Sequence, residues 1–304
     1  QELKPFGIVT VLDGFSAQLP TSSVSDCTVV WGHDLRAGIE ALGLTTLEKV
    51  PAPSVPGKHV MCYVYTGGTT KHSKCVTVTH AMAIWEIDNY ATALRGSAHR
   101  GDRMLQYSSA YWGAAVFGQL DLALAFGACA VITPAETDPQ AIGAAVVQHR
   151  ISVLGIVPSQ LRGAWPGGPH TCPPCLRVLI SWAEKLPVSL AQQWKSSMPV
   201  YELLIASEYW LSLHSDCTTW HDPQDRCDKH ILWPLPDLDF LLVGDDGKPV
   251  AVGQVGEMLL NGATVFPGYV GADGIIGSGA VNEAAFLTIA GQRYYRTRDR
   301  LRKL

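Results

Sequence analysis

The spacing of apolar and polar positions changes several times along the 304 residues, and each change marks an element. Apolar, β-rich runs at 60–65 and 76–79 flank a polar Gly/Thr stretch, which predicts a strand, a loop and a second strand. After His80 the apolar residues recur at helical spacing over 81–94, and a loop follows at 95–103. The run from Trp112 to Leu124 reads as a long helix, and 127–134 as a buried strand. Asp138-Pro139 is a helix start signal for 138–149. Strands are expected at 151–157 and 176–181. This alternation predicts an α/β fold of layered, largely parallel sheets with flanking helices, in which ligands sit beyond the carboxyl ends of the strands. From 237 onward the pattern becomes short strands and glycine turns, including an Asp246-Gly247 turn, the texture of a smaller β-barrel-like C-terminal part. Residues 1–57 carry apolar runs at 6–12 and 28–31, a short helix at 34–42 and a Pro-rich linker at 51–57. The expected division is therefore a shortened or truncated N-terminal lobe and linker (1–57), an α/β core (58–236) and a β-rich subdomain (237–304).

The loop between the first two runs holds Thr66-Gly67-Gly68-Thr69-Thr70. Paired glycines let successive N–H groups face one concavity, three hydroxyls add donors, and Lys71 and Lys74 bring positive charge to the rim. That combination suits a polyphosphate. It is neither a nucleotide-triphosphate P-loop, lacking Gly-Lys-Ser/Thr and an immediate helix-forming run, nor a dinucleotide fingerprint. Taken alone, the same residues also describe a hairpin loop with no ligand.

Composition narrows the classes. The formal charge is −4 with Lys and Arg dispersed, which gives no electrostatic footprint for nucleic acid. Apolar stretches are interrupted well short of about twenty residues, so no membrane span is expected. The chain starts at Gln1 without a charged-then-apolar segment, and is expected to be an excerpt of a longer protein. Eight dispersed cysteines read as reduced thiols of a cytoplasmic protein. Cys172-Pro-Pro-Cys175 reads as a rigid loop; the other readings are a redox couple, or half a zinc site completed by Cys217, Cys227, His214, His221 or His230.

The loop resembles the phosphate loop of the adenylate-forming superfamily, which includes acyl-CoA synthetases, luciferases and nonribosomal peptide synthetase adenylation domains. Its usual form is Tyr-Thr-Ser-Gly-Thr-Thr-Gly-x-Pro-Lys-Gly-Val, with a histidine soon after. The chain keeps Tyr65, Thr66, Gly68, Thr69, Thr70, Lys74, Val76 and His80, and departs at Gly67, Lys71, Ser73 and Cys75. Further on, Tyr107-Ser-Ser-Ala-Tyr-Trp112 resembles aromatic-Asp-x-Ser-x-Trp, and Trp182-Ala-Glu-Lys-Leu186 stands where the family has Gly-Gly-Glu-x-Leu. Tyr201-Glu-Leu-Leu-Ile-Ala-Ser-Glu208 falls at the place of Asn-x-Tyr-Gly-Pro-Thr-Glu, with Leu204 for its adenine-stacking Tyr. Gly256-Glu-Met-Leu-Leu260 and Phe266-Pro-Gly-Tyr269 resemble two further segments. Tyr295-Arg-Thr-Arg-Asp299 matches Tyr-Arg-Thr-Gly-Asp apart from Arg298. The resemblance covers about 58–304 and is greatest to a peptide-synthetase adenylation domain, N-terminal core only; the family's mobile C-terminal domain, with its catalytic lysine, is expected to be missing from these residues.

The resemblance implies an adenylate-forming ligase that takes ATP, Mg²⁺ and a small carboxylic acid, and passes the acyl group to a carrier-protein phosphopantetheine thiol or to CoA. Thr69, Lys74 and Glu208 would be catalytic, with Glu208 the Mg²⁺ ligand. Thr66, Gly67, Gly68, Thr70, Ser207, Asp299 and Arg302 would hold the nucleotide, Asp299 at the ribose. The acyl pocket would involve Ser108, Ser109, Trp112, Gly155, Ile180, Trp182 and Leu203. Ser108 stands where amino-acid-activating members have an Asp for the ammonium. Two other readings remain: an acyl- or aryl-CoA ligase, and a degenerate, non-catalytic scaffold.

Overall fold

The computed structural model describes residues 7–10, 28–31, 54–66, 73–219 and 231–304, the first two as backbone strands. Contacts divide the chain into two units, residues 1–56 with 272–275, and residues 57–271 with 276–304. In the first unit, β1 (Gly7–Thr10) pairs in parallel with β2 (Thr28–Trp31). The helix expected at 34–42 lies outside the described residues.

The second unit begins with the expected hairpin. β3 (Val60–Tyr65) and β4 (Cys75–Thr79) pair antiparallel around the loop. Thr79 ends β4 and caps α1 (His80–Ala93), its hydroxyl accepting the N–H of Met82. After β5 (Arg103–Gln106), the expected long helix takes a different form: Ala114–Asp121 winds as a π-helix and continues into α2 (Leu122–Phe126), which ends at Gly127 with φ 58°. Apolar spacing reports a buried face but not an i→i+5 ladder, so the sequence does not announce the wider turn.

β6 (Cys129–Ile132) overturns another expectation. It is not a buried strand but the edge of the sheet, paired only with β5, and Ile132 is 68 % exposed. Asp138 caps α3 (Pro139–Gln148) by accepting from the N–H groups of Gln140 and Ala141, as its position before Pro139 suggested. Next come β7 (Val153–Gly155), α4 (Pro158–Ala164), β8 (Val178–Ser181), α5 (Val188–Lys195), β9 (Val200–Leu204), β10 (Leu213–Asp216) and β11 (Trp233–Pro234). The seven strands lie in the order β11-β10-β9-β8-β7-β5-β6; the run from β9 to β6 is parallel, and β10 and β11 are antiparallel. Successive residues of the central strands go to opposite faces. Met104, Val153, Val178 and Ile180 join the core that includes α1 and the π-helix, while Leu105, Leu154 and Leu179 join the core of α3, α4 and α5. Burial on both faces explains the unbroken apolar runs.

The last part is a four-stranded antiparallel sheet, order β12-β13-β15-β14, of β12 (Asp239–Val243), β13 (Val255–Asn261), β14 (Phe286–Ile289) and β15 (Gln292–Arg302), with α6 (Ala280–Ala285) before β14. Its Met258, Leu260 and Tyr295 enter the same core as α1. The fold is the α/β class expected, layered sheets with flanking helices and a smaller antiparallel part.

Two positions where the family pattern carries glycine hold other residues in the left-handed region: Ala183 at φ 64° and Arg298 at φ 69°. Trp182, just past β8, is 2 % exposed and lies against two glycines. A Cβ at Gly155 would stand 1.5 Å from its Cη2, and one at Gly118 2.9 Å from its Cζ2. The ring therefore occupies space that exists because neither neighbour has a side chain.

A second buried feature carries charge. Glu86 and Tyr90 of α1 and Asp121 of the π-helix are all within the core; the Tyr90 hydroxyl bonds the Glu86 carboxyl and the Phe117 carbonyl. One oxygen of each carboxyl is without a partner among the described residues. Burial pushes Asp121 up to about 7, and burial together with Asp121 drives Glu86 well above the carboxylate range.

Two outcomes are expected from this packing. The folded-state pKa of Asp121 is raised above its ordinary 3.8, so the unfolded state binds fewer protons between these values. Stability should therefore fall as pH rises from about 4 to about 7 and level off above. Asp121→Asn should flatten that slope, most visibly in melting temperatures compared at pH 5 and pH 8. In the second test, Gly155→Ala should cost about 1–3 kcal/mol or more by forcing the Trp182 ring to move, and should cost much less in a Trp182→Ala background. Additive losses in denaturant titrations of the double mutant would refute the contact as its cause.

Candidate active site

The carboxyl ends of β5, β7, β8 and β9 point to the same end of the parallel sheet, and the chain segments leaving them carry most of the motif residues. Beyond β9, Ala206 donates its N–H to the Tyr209 carbonyl, and Phe266 donates to that of Glu208. These bonds hold Ser207-Glu208-Tyr209 beside the 264–270 segment. The hairpin reaches the same segment from the other side: Val76 bridges Tyr269, and Val270 donates to the Cys75 carbonyl at 3.0 Å.

At the hairpin neck Thr66 and Lys74 close on each other. Thr66 N–H donates to the Lys74 carbonyl at 3.1 Å, and Lys74 N–H to Thr66 Oγ1 at 3.3 Å. Gly67, Gly68, Thr69, Thr70 and Lys71 lie outside the described residues. The Lys74 ammonium sits 4.8 Å from the centroid of the Tyr269 ring, within cation–π range. The Tyr269 hydroxyl donates to Glu208 Oε1 at 2.7 Å. Tyr209 donates likewise to Asp299 Oδ2 at 2.7 Å. Tyr295 lies near them, its ring 6.1 Å from that of Tyr209. Lys74, Glu208 and Asp299, separated by more than two hundred residues of chain, thus meet around three buried tyrosines. Burial first, and the neighbouring carboxylates second, raise Tyr209 and Tyr269 far above the ordinary phenol pKa, so both remain neutral donors.

Asp299 is aimed by an irregularity. The pairing of β13 with β15 slips between Glu257 and Leu259, so that Thr297, Arg298 and Asp299 bulge opposite Met258. Thr297 Oγ1 donates to the Met258 carbonyl at 2.7 Å and accepts the N–H of Asp299 at 3.1 Å. Such bulges re-aim side chains. The left-handed Arg298 is the middle residue; its guanidinium reaches the Ala284 carbonyl and lies 3.8 Å from Glu257. Arg302 is placed elsewhere, donating to the Gly253 carbonyl at the end of β15.

The remaining motif residues divide between surface and core. Ser207 is half-buried against the start of the π-helix, where a Cβ on Gly113 would stand 3.0 Å from its Oγ. The N–H groups of Tyr107 and Ser108 both donate to Gln119 Oε1, at 3.1 and 3.0 Å. Ser109 is half-buried and Trp112 52 % exposed, while Ile180 and Leu203 are in the core with Trp182. Gln119, Tyr209 and the supporting roles of Tyr269 and Tyr295 were not foreseen. Tyr269 and Tyr295 stood in recognised segments, but nothing local told which groups their hydroxyls would meet.

Among the described residues no three His, Cys, Asp or Glu side chains gather as a metal-binding group. Cys172 and Cys175 donate to the Pro173 and Val146 carbonyls. Cys227, His221 and His230 lie outside the described residues. No described helix is long and apolar enough to cross a membrane.

The chain is 26 % identical over 248 residues to nonribosomal peptide synthetase Ao415 of Arthrobotrys oligospora, covering 81 % of this chain and 7 % of that one. It is 25 % identical over 286 residues to a feruloyl-CoA synthase of an Amycolatopsis species, covering 88 % of this chain and 57 % of the synthase. The chain thus spans less than two thirds of either relative. Its fold is similar to that of the N-terminal subdomain of Klebsiella oxytoca NpsA, solved with 3-hydroxyanthranilyl-AMSN, with a TM-score of 0.67 at 17 % identity over 97 % of this chain and 69 % of that one. The model of the AMP-binding enzyme family matches residues 5–270, and with most of its length so matched, the chain belongs to that family.

Proposed function

We propose that this chain is the N-terminal core of an adenylation domain of the peptide-synthetase kind, activating a carboxylic acid with ATP as an acyl-adenylate for transfer to a carrier-protein thiol. The observation that carries the reading is the meeting of Lys74, Glu208 and Asp299 around the buried tyrosines. A carboxylate oxygen of the acid attacks the α-phosphorus, the bond to the bridging oxygen breaks, and pyrophosphate leaves. The protein's part is to place the reactants in line and to neutralise charge. Lys74 would hold the departing pyrophosphate, helped by Thr66, Thr69 and Thr70, and Ser207 the α-phosphate. Asp299, with Oδ2 taken by Tyr209, offers Oδ1 to a ribose hydroxyl.

The donor set fits Mg²⁺. The ion usually takes one or two carboxylates, the rest of its shell being phosphate oxygens and water, and Glu208 has one oxygen on Tyr269 and a second to offer. When bound, Mg²⁺ neutralises charge on the phosphate oxygens. Leu204 in place of a stacking ring leaves the adenine with weaker packing. A CoA thiol as acceptor is the second reading, favoured by the similarity to a feruloyl-CoA synthase. A cytoplasmic location goes with either acceptor.

The acid should lack an α-ammonium. Ser108 replaces the acidic partner, and a buried ammonium without one is costly. Trp182 also fills the space between Gly118 and Gly155. A small hydroxy, keto or aryl acid is therefore the class favoured.

Two experiments test these assignments. Lys74→Ala should weaken ATP binding about tenfold or more, a loss of about 1.4 kcal/mol, and leave AMP nearly unchanged; equal losses in calorimetry would remove the lysine from the β- and γ-phosphates. ATP–pyrophosphate exchange by the full-length protein, run against amino, hydroxy, keto and aryl acids, should be fastest outside the α-amino acids. Fastest exchange with a standard amino acid would refute the inference from Ser108.

A further inference from the structure

We propose that Tyr269 is a positioning residue that holds Glu208 and Lys74 apart and correctly aimed for a metal-bound polyphosphate. The inference rests on the nucleotide reading above and adds to it a residue that contacts no substrate. The backbone of Tyr269 is unusually well fixed. The buried amide of Asn282 accepts its N–H at 2.8 Å and donates to its carbonyl at 3.0 Å. Gly268 makes room for that amide, since a Cβ there would meet Asn282 Oδ1 at 2.9 Å. The bridge to Val76 ties the residue to the hairpin, and the Phe266 ring packs edge-on at 4.8 Å.

From this fixed point the side chain addresses two groups in two ways. Its edge, through the hydroxyl, holds Glu208 Oε1 at 2.7 Å; its face carries the Lys74 ammonium at 4.8 Å. A lysine and a glutamate brought this close would ordinarily pair with each other, which would cancel the two charges a metal-bound polyphosphate needs. Here neither has an ion-pair partner among the described residues, and the phenol contacts both, the carboxylate through its hydroxyl and the ammonium through its ring. The hydrogen bond fixes which carboxylate oxygen remains for the ion, as outer-shell partners of metal ligands do.

The test uses Tyr269→Phe and Tyr269→Leu in the 304-residue chain, with α,β-methylene-ATP, AMP and Mg²⁺ as calorimetric probes and Glu208→Gln as the reference. Tyr269→Phe keeps the ring and loses the hydroxyl. It should raise the Mg²⁺ concentration for half-maximal analogue binding about 10-fold or more, while leaving Mg²⁺-free binding and the preference for analogue over AMP nearly as they are. Tyr269→Leu should in addition lose that preference, because Lys74 loses its support. An unchanged Mg²⁺ requirement in Tyr269→Phe, where Glu208→Gln does change it, overturns the inference alone. So does an equal loss of AMP and analogue in both variants, the mark of a purely structural residue. If the unmodified chain binds no nucleotide, or Glu208→Gln leaves the Mg²⁺ requirement unchanged, the nucleotide reading falls and the inference with it.

Discussion

The site depends on hydrogen bonds between buried phenols and carboxylates. Tyr269 to Glu208 and Tyr209 to Asp299 are each a charge-assisted bond in a poorly solvated place, where such a bond is strong and a carboxylate without one would be costly. They join three stretches of chain: the segment after β9, the 264–270 segment and the bulge of β15. The parallel sheet and the antiparallel sheet share one core, and Tyr209, Phe266, Tyr269 and Tyr295 are all in it. The aromatic cluster therefore packs the two sheets together and, through its hydroxyls, sets the polar groups that face the ligand side. Packing and function use opposite ends of the same side chains.

How far the sequence reveals this differs from element to element. The hairpin, the cap at Asp138 and the parallel sheet are written locally, in alternation, in a helix start signal and in apolar runs buried on both faces. The π-helix is not, because the same residues suit an ordinary helix, and its hydrogen-bond ladder depends on what it packs against. The exposure of β6 is equally silent: Cys129-Ala-Val-Ile132 has the composition of an interior strand, and only the sheet order makes it an edge. In the site, resemblance singled out Lys74, Glu208 and Asp299, which the fold brings together. It gave no account of what holds them, since the tyrosine contacts join residues as many as 195 positions apart. Arg302, singled out by its place after Asp299, turns to a backbone carbonyl of β13's approach instead.

The buried acids at Glu86 and Asp121 bear on the same architecture. They lie between α1 and the π-helix, one carrying the chain away from the hairpin and the other supplying Gln119 to the backbone of Tyr107 and Ser108. Burial raises both carboxyls, so this core favours their protonated forms. The region beneath the candidate site is thus more polar than its apolar surroundings suggest.

Ala183 and Arg298 have one more implication. Both occupy backbone conformations that glycine adopts without cost, in segments whose family pattern has glycine there. The range of replacements each position can accept is therefore narrow and lopsided: glycine, asparagine or aspartate are compatible with the backbone, whereas valine, isoleucine or threonine would have to break it. A lineage of such chains could vary freely in side-chain chemistry at these two points only within that short alphabet, so the local shape, more than the motif letters, is what descent would preserve.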